Sequence, residues 1–115
     1  MRTDPEDEGV LYKELARRLR QTRRALGLTQ RAAGELVGTN QPGWSNWESG
    51  KEPDPDSKDG PRRISVEAAI VFCRRYHVTL DWLYLGDPSN LPVQLWEKIR
   101  EIRAKDRAEA EKNAS

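Results

Sequence analysis

The chain has 115 residues, 36% hydrophobic and 34% charged, which leaves room for one domain built on one core. A net charge of +1 excludes an overall basic excess, and a single cysteine, Cys73, excludes an intramolecular disulfide. No apolar run approaches a membrane span and no charged-then-apolar leader precedes Tyr12, so a cytoplasmic protein without a membrane partner is expected.

The first residues are acidic, contain Pro5 and Gly9, and have little to bury, so a flexible tail is expected over residues 1–9. From Val10 to Leu26 the residues Leu11, Leu15, Leu19 and Leu26 form one stripe, and Gly27 ends that helix. A second helix opens after Thr29, whose hydroxyl suits an N-cap. It places Ala32, Ala33, Leu36 and Val37 on one face and stops at Gly38. Thr39 and Asn40 are the cap candidates for a third helix, Gln41 to Ser49, with Pro42 in its first turn and Gly50 closing it.

Residues 51–63 hold Pro53, Pro55, Gly60 and Pro61 and read as a long loop. Ser65 can cap a fourth helix running through Val66, Ala69, Ile70, Phe72 and Cys73 to Tyr76, with His77 at its end. Thr79 can cap a fifth, carrying Leu80, Trp82, Leu83 and Leu85 and ended by Gly86. The organisation expected is therefore a helical domain over residues 10–87, followed over 88–115 by a C-terminal helix and a mobile tail. That last helix starts near Pro92, and its apolar stripe of Leu95, Trp96, Ile99 and Ile102 needs a surface to cover it, either the domain's own core or a second copy of the chain.

The third helix puts Trp44 and Trp47 to one side and leaves Gln41, Gly43, Ser45 and Asn46 facing outward, a polar face without charge. Amides of Gln and Asn can bond N6 and N7 of adenine together, and Ser can serve either base type. The charge also becomes informative once divided by segment. Residues 11–51 hold eight basic residues against three acidic ones, while the acids gather at residues 4–8 and 52–59. Cys73 reads as a buried inert thiol, and His77 has no partner at metal-ligand spacing. No catalytic constellation, metal site or cofactor is expected, and the chain does not read as an enzyme.

Leu28-Thr29-Gln30, Gly38, the anchors Trp44 and Trp47, Glu48, Gly50 and Lys51 fall in one register without a gap. Together they resemble the helix-turn-helix DNA-binding domain of the lambda-repressor and Cro type, also called Xre. The resemblance extends back to about Leu15 and, after an interruption at the loop, through residues 78–83 to Gly86. It implies an all-α fold, a five-helix domain plus the C-terminal helix, that binds double-stranded DNA as a phage or prophage repressor-like transcriptional regulator. The helix from Gln41 would enter the major groove, with Gln41, Pro42, Gly43, Ser45 and Asn46 as base readers. Gln30, Arg24, Lys51 and Arg62 are the phosphate-binding candidates, and Gln30 would also steady the first recognition side chain. A pair between Arg23 and Glu48 would brace the recognition helix. The family usually has Ala at the position of Gly34 and lacks most of the 51–63 loop.

One such module reads few base pairs, so a homodimer is expected. Its surface would be the stripe of the C-terminal helix in preference to helix five around Leu80 and Leu83. The alternative reading is an antitoxin, or another protein-interaction module, built on the same domain.

Overall fold

The structure, a computed structural model, describes residues 5–114 except 53, 57 and 59, with backbone alone for residues 5–10. The described residues form six α-helices and no strand: α1 (Pro5–Ala25), α2 (Gln30–Leu36), α3 (Gln41–Glu48), α4 (Val66–Tyr76), α5 (Leu80–Leu85) and α6 (Val93–Ala114). None of these helices is long and apolar enough to cross a membrane.

Four helix starts are made by the hydroxyl and amide residues the sequence offers for them. The side-chain oxygens of Thr29, Asn40, Ser65 and Thr79 accept from the backbone N–H groups of Ala32, Gly43, Ala68 and Trp82, at 2.9–3.1 Å. Each satisfies a donor that the first turn leaves without a helical partner. Of the two candidates for the third helix, Asn40 is the cap. His77 ends α4 in the left-handed conformation, at φ 58°. The first helix differs from expectation at its start. Its backbone is already helical at Pro5, so residues 5–9 belong to α1, and the expected tail over residues 1–4 lies outside the described residues.

The helix α1 lies at the centre, packed against α3, α5 and α6, while α4 closes the far side against α2 and α5. Leu19, Trp44, Phe72, Trp82, Leu83 and Ile99 are fully buried. Two groups of aromatic rings pack within the domain. Trp47, Trp44, Phe72 and Tyr76 form a chain of tilted rings with centroids 5.4–5.5 Å apart, and Trp96 meets Trp82 edge-on at 5.2 Å. Several apolar residues named for the helices point to solvent: Leu11 of the first stripe is 51% exposed, Val66 62% and Leu85 76%, and Ala32 is exposed.

The α6 stripe is covered by the domain itself. Leu95 and Ile99 belong to the core cluster, and Trp96 and Ile102 pack against it. The face expected to seat a second copy of the chain is thus closed from within, because α1 and Trp82 of α5 offer it an apolar surface. A polar clamp holds the same helix: Asp106 accepts from Gln21 Nε2 at 3.2 Å and from Arg24 Nη1 at 3.0 Å. Burial works to raise the Asp106 carboxyl, but these hydrogen bonds and the charge of Arg24 outweigh it and hold the group below the usual carboxylate range.

Arg18 is a residue whose task the sequence did not reveal. Its Nε donates to Leu83 O at 2.8 Å and its Nη2 to Tyr84 O at 3.0 Å, so it satisfies carbonyls left over at the end of α5. Burial pushes its pKa down from the ordinary value, with Glu14 acting the other way. Beside it, Thr22 Oγ1 donates to Arg18 O at 2.6 Å and accepts from Trp82 Nε1 at 2.9 Å, which explains a fully buried hydroxyl in the core.

Candidate nucleic-acid interface

The turn between α2 and α3 is tight enough to dictate residue size. Thr39 N donates to Gly34 O at 2.9 Å, and a Cβ placed on Gly34 would stand 2.7 Å from Asn40 O. A Cβ on Gly43 would collide with the Thr39 hydroxyl. Gly38 supplies the positive φ, 84°, that lets the chain reverse after Val37. Two short helices are thereby locked at one angle, and α3 is presented with Trp44 beneath it and its polar residues outward.

A run of polar contacts passes from the core to that outward face. The Glu48 carboxylate accepts from Arg23 Nε at 2.7 Å, Arg23 Nη2 at 3.1 Å, Gln30 Nε2 at 3.0 Å and the indole N–H of Trp44. Arg23 also donates from Nη1 to Leu28 O at 2.7 Å, which ties down the turn that precedes α2. The side chains of Arg23 and Glu48 are only 11% and 3% exposed, so the pair is a buried one. Gln30 then accepts from Gln41 Nε2 at 2.8 Å. The Gln41 amide is in this way held in one orientation, with its carbonyl oxygen and the second hydrogen of Nε2 left for another partner. That remaining pair, one acceptor and one donor on the same planar group, is what bidentate contact with adenine requires.

The other residues named for the face are placed less uniformly. Gln41 and Pro42 are exposed, while Gly43, Ser45 and Asn46 are half-buried. Gly43 brings no side chain. Asn46 has its Nδ2 engaged on the loop, donating to Gly60 O at 3.1 Å and Pro61 O at 2.9 Å. Sequence alone gave no signal for this, because the loop carbonyls are fourteen and fifteen residues away.

The phosphate candidates also divide. Lys51 is exposed just beyond α3, where Gly50 lies against Lys13 of α1. Arg24, in contrast, is paired with Asp106 of α6, and Arg62 is half-buried and donates from Nη1 to Glu52 O at 2.9 Å. In this arrangement both guanidinium groups serve the protein's own structure instead of standing free for phosphate. Arg31 forms an exposed pair with Glu35 one turn on. Lys13, Arg17 and Arg20, all exposed, share one face of α1 with Arg24, so the positive surplus of residues 11–51 narrows to this stripe and Lys51.

Two short helices crossing at a Gly-bounded turn, the second anchored by Trp and offering a polar face, define a helix-turn-helix fold. The sequence profile of the helix-turn-helix domain family matches residues 14–83, more than half of the chain, and the protein belongs to that family. The match includes α2, α3 and α4 and ends within α5, leaving α6 outside it. No curated protein and no solved structure matches the chain.

Proposed function

We propose that the protein is a sequence-specific, double-stranded DNA-binding transcriptional regulator of the repressor type, acting by binding alone. The observation that carries this reading is the polar run from Arg23 through Glu48 and Gln30 to Gln41, which holds one exposed amide at the head of α3 by a single hydrogen of its nitrogen. A side chain ordered before binding loses little freedom on contact, so its hydrogen bonds count more fully toward specificity. Exposed Lys51 and the cations of α1 supply the sequence-independent attraction to phosphate, and affinity falls steeply with salt. Gln41, Pro42 and Ser45 are the residues that meet base edges. Pairing of two copies falls to α5; of the two residues expected there Leu83 is buried in the core and cannot take part, which leaves Leu80 and Leu85, 40% and 76% exposed.

Random-site selection with the purified protein tests this reading. A defined operator should emerge, and Gln41→Ala should weaken its binding by about 1–3 kcal/mol while leaving unrelated DNA nearly unaffected. Recovery of no preferred sequence, together with co-purification of a stoichiometric protein partner, would favour the antitoxin-like alternative.

A further inference from the structure

The loop that interrupts the family pattern is fastened to the domain by specific contacts. Asn46 Nδ2 donates to its returning leg, at Gly60 O and Pro61 O. Arg62 Nη1 joins the two legs by donating to Glu52 O at 2.9 Å. The Arg63 guanidinium lies over the Tyr12 ring of α1, 4.2 Å from its centroid, and Ile64 next to it is buried in the core. The outgoing leg and tip differ, for Glu52, Asp54, Asp56 and Lys58 are all exposed. Across residues 51–60 four acids stand against two lysines, so this is a negatively charged loop set beside a helix meant for a polyanion.

For Asn46 to read adenine, Nδ2 would have to face N7 while Oδ1 accepts from N6. An amide nitrogen has two hydrogens, and here Nδ2 is directed at two loop carbonyls. Gln41, at the other end of α3, is exposed and has one of its two hydrogens committed to Gln30. The two amides on one helix therefore have different tasks.

We propose that Asn46 is a positioning residue that docks the 51–63 loop onto the flank of α3, and that it does not read a base. The docked loop keeps its acidic leg at a fixed distance from the phosphates that Lys51 approaches. Once undocked, the acidic leg is no longer held there and opposes binding to every sequence alike. This inference rests on α3 being the helix that meets DNA, and the test separates the two.

Three full-length variants are compared with wild type: Asn46→Ala, Asn46→Asp, which keeps the shape but turns an acceptor toward the carbonyls, and Gln41→Ala. Each is subjected to limited trypsin digestion without DNA, to random-site selection and to anisotropy titration on operator and unrelated duplexes. Both Asn46 variants should be cleaved severalfold faster after Lys58 and Arg62 at an unchanged melting temperature, whereas Gln41→Ala should be cleaved as wild type. Asn46→Ala should keep every base preference of the wild type and lose the same factor, under about tenfold, on both duplexes. A changed preference at a single base pair in Asn46→Ala would overturn the proposal, and so would wild-type cleavage of both Asn46 variants. Unchanged preferences in Gln41→Ala would remove the reading of α3 as the base-reading helix, while the digestion would still decide whether Asn46 docks the loop.

Discussion

Replacing Arg23 by Ala removes three hydrogen bonds at once, two to Glu48 and one to the Leu28 carbonyl. Glu48, 3% exposed, would keep only Gln30 and the Trp44 indole as donors for a full negative charge. Breaking a buried ion pair from one side costs about 3–5 kcal/mol, because the remaining charge is neither solvated nor paired. A loss of that size should lower the melting temperature by more than about 10 °C. It should appear as an earlier midpoint in guanidinium unfolding followed by circular dichroism. The double variant Arg23→Leu with Glu48→Leu should recover part of the loss. Recovery stays incomplete, since Gln30 and Trp44 then lack their acceptor at about 1 kcal/mol each. Gln41 would lose its support in the double variant, where Gln30 no longer has Glu48 to hold it, so operator affinity should stay low there even where stability returns. An Arg23→Ala protein that unfolds at the wild-type midpoint would refute the argument.

At the turn, Gly34→Ala brings the residue usual in the family but places a methyl 2.7 Å from Asn40 O. The strain, about 1–3 kcal/mol, should outweigh the helix-propensity gain of about 1 kcal/mol, and a melting temperature above wild type would contradict this. Truncation after Pro88 removes Leu91, Leu95 and Ile99 from the core and uncovers Trp82. The shortened chain should lose its cooperative thermal transition, and a sharp melt near the wild-type temperature would show that α6 is dispensable. The Asp106 clamp predicts a pH dependence. Its carboxyl is held low in the folded protein, so its contribution is fully present above the ordinary carboxylate pKa of about 3.9 and is lost as pH falls through the lower folded value. The stability difference between wild type and Asp106→Asn, measured by urea unfolding, should be constant near neutral pH and shrink in acid. A difference that does not change with pH would exclude the clamp.

What the sequence determined by itself was local or written in spacing. The caps Thr29, Ser65 and Thr79 bond to backbone only three residues ahead, so a short window contains the whole interaction. Gly38 and the left-handed His77 mark chain reversals for the same reason. The pairing of Arg23 with Glu48 and the link from Gln30 to Gln41 were legible only because a fixed helix-turn-helix frame places those positions together. Outside that frame, tertiary structure decided. Asp106 lies 82 residues from Arg24, and Arg18 lies 65 from Leu83, so no periodicity announces that these cations are engaged inside the protein. The α6 stripe shows the limit most plainly. Apolar spacing dictates that Leu95, Trp96, Ile99 and Ile102 must be covered, but the hydrophobic effect has no direction, and only the packing of α6 on α1 and Trp82 settles that the cover comes from the same chain.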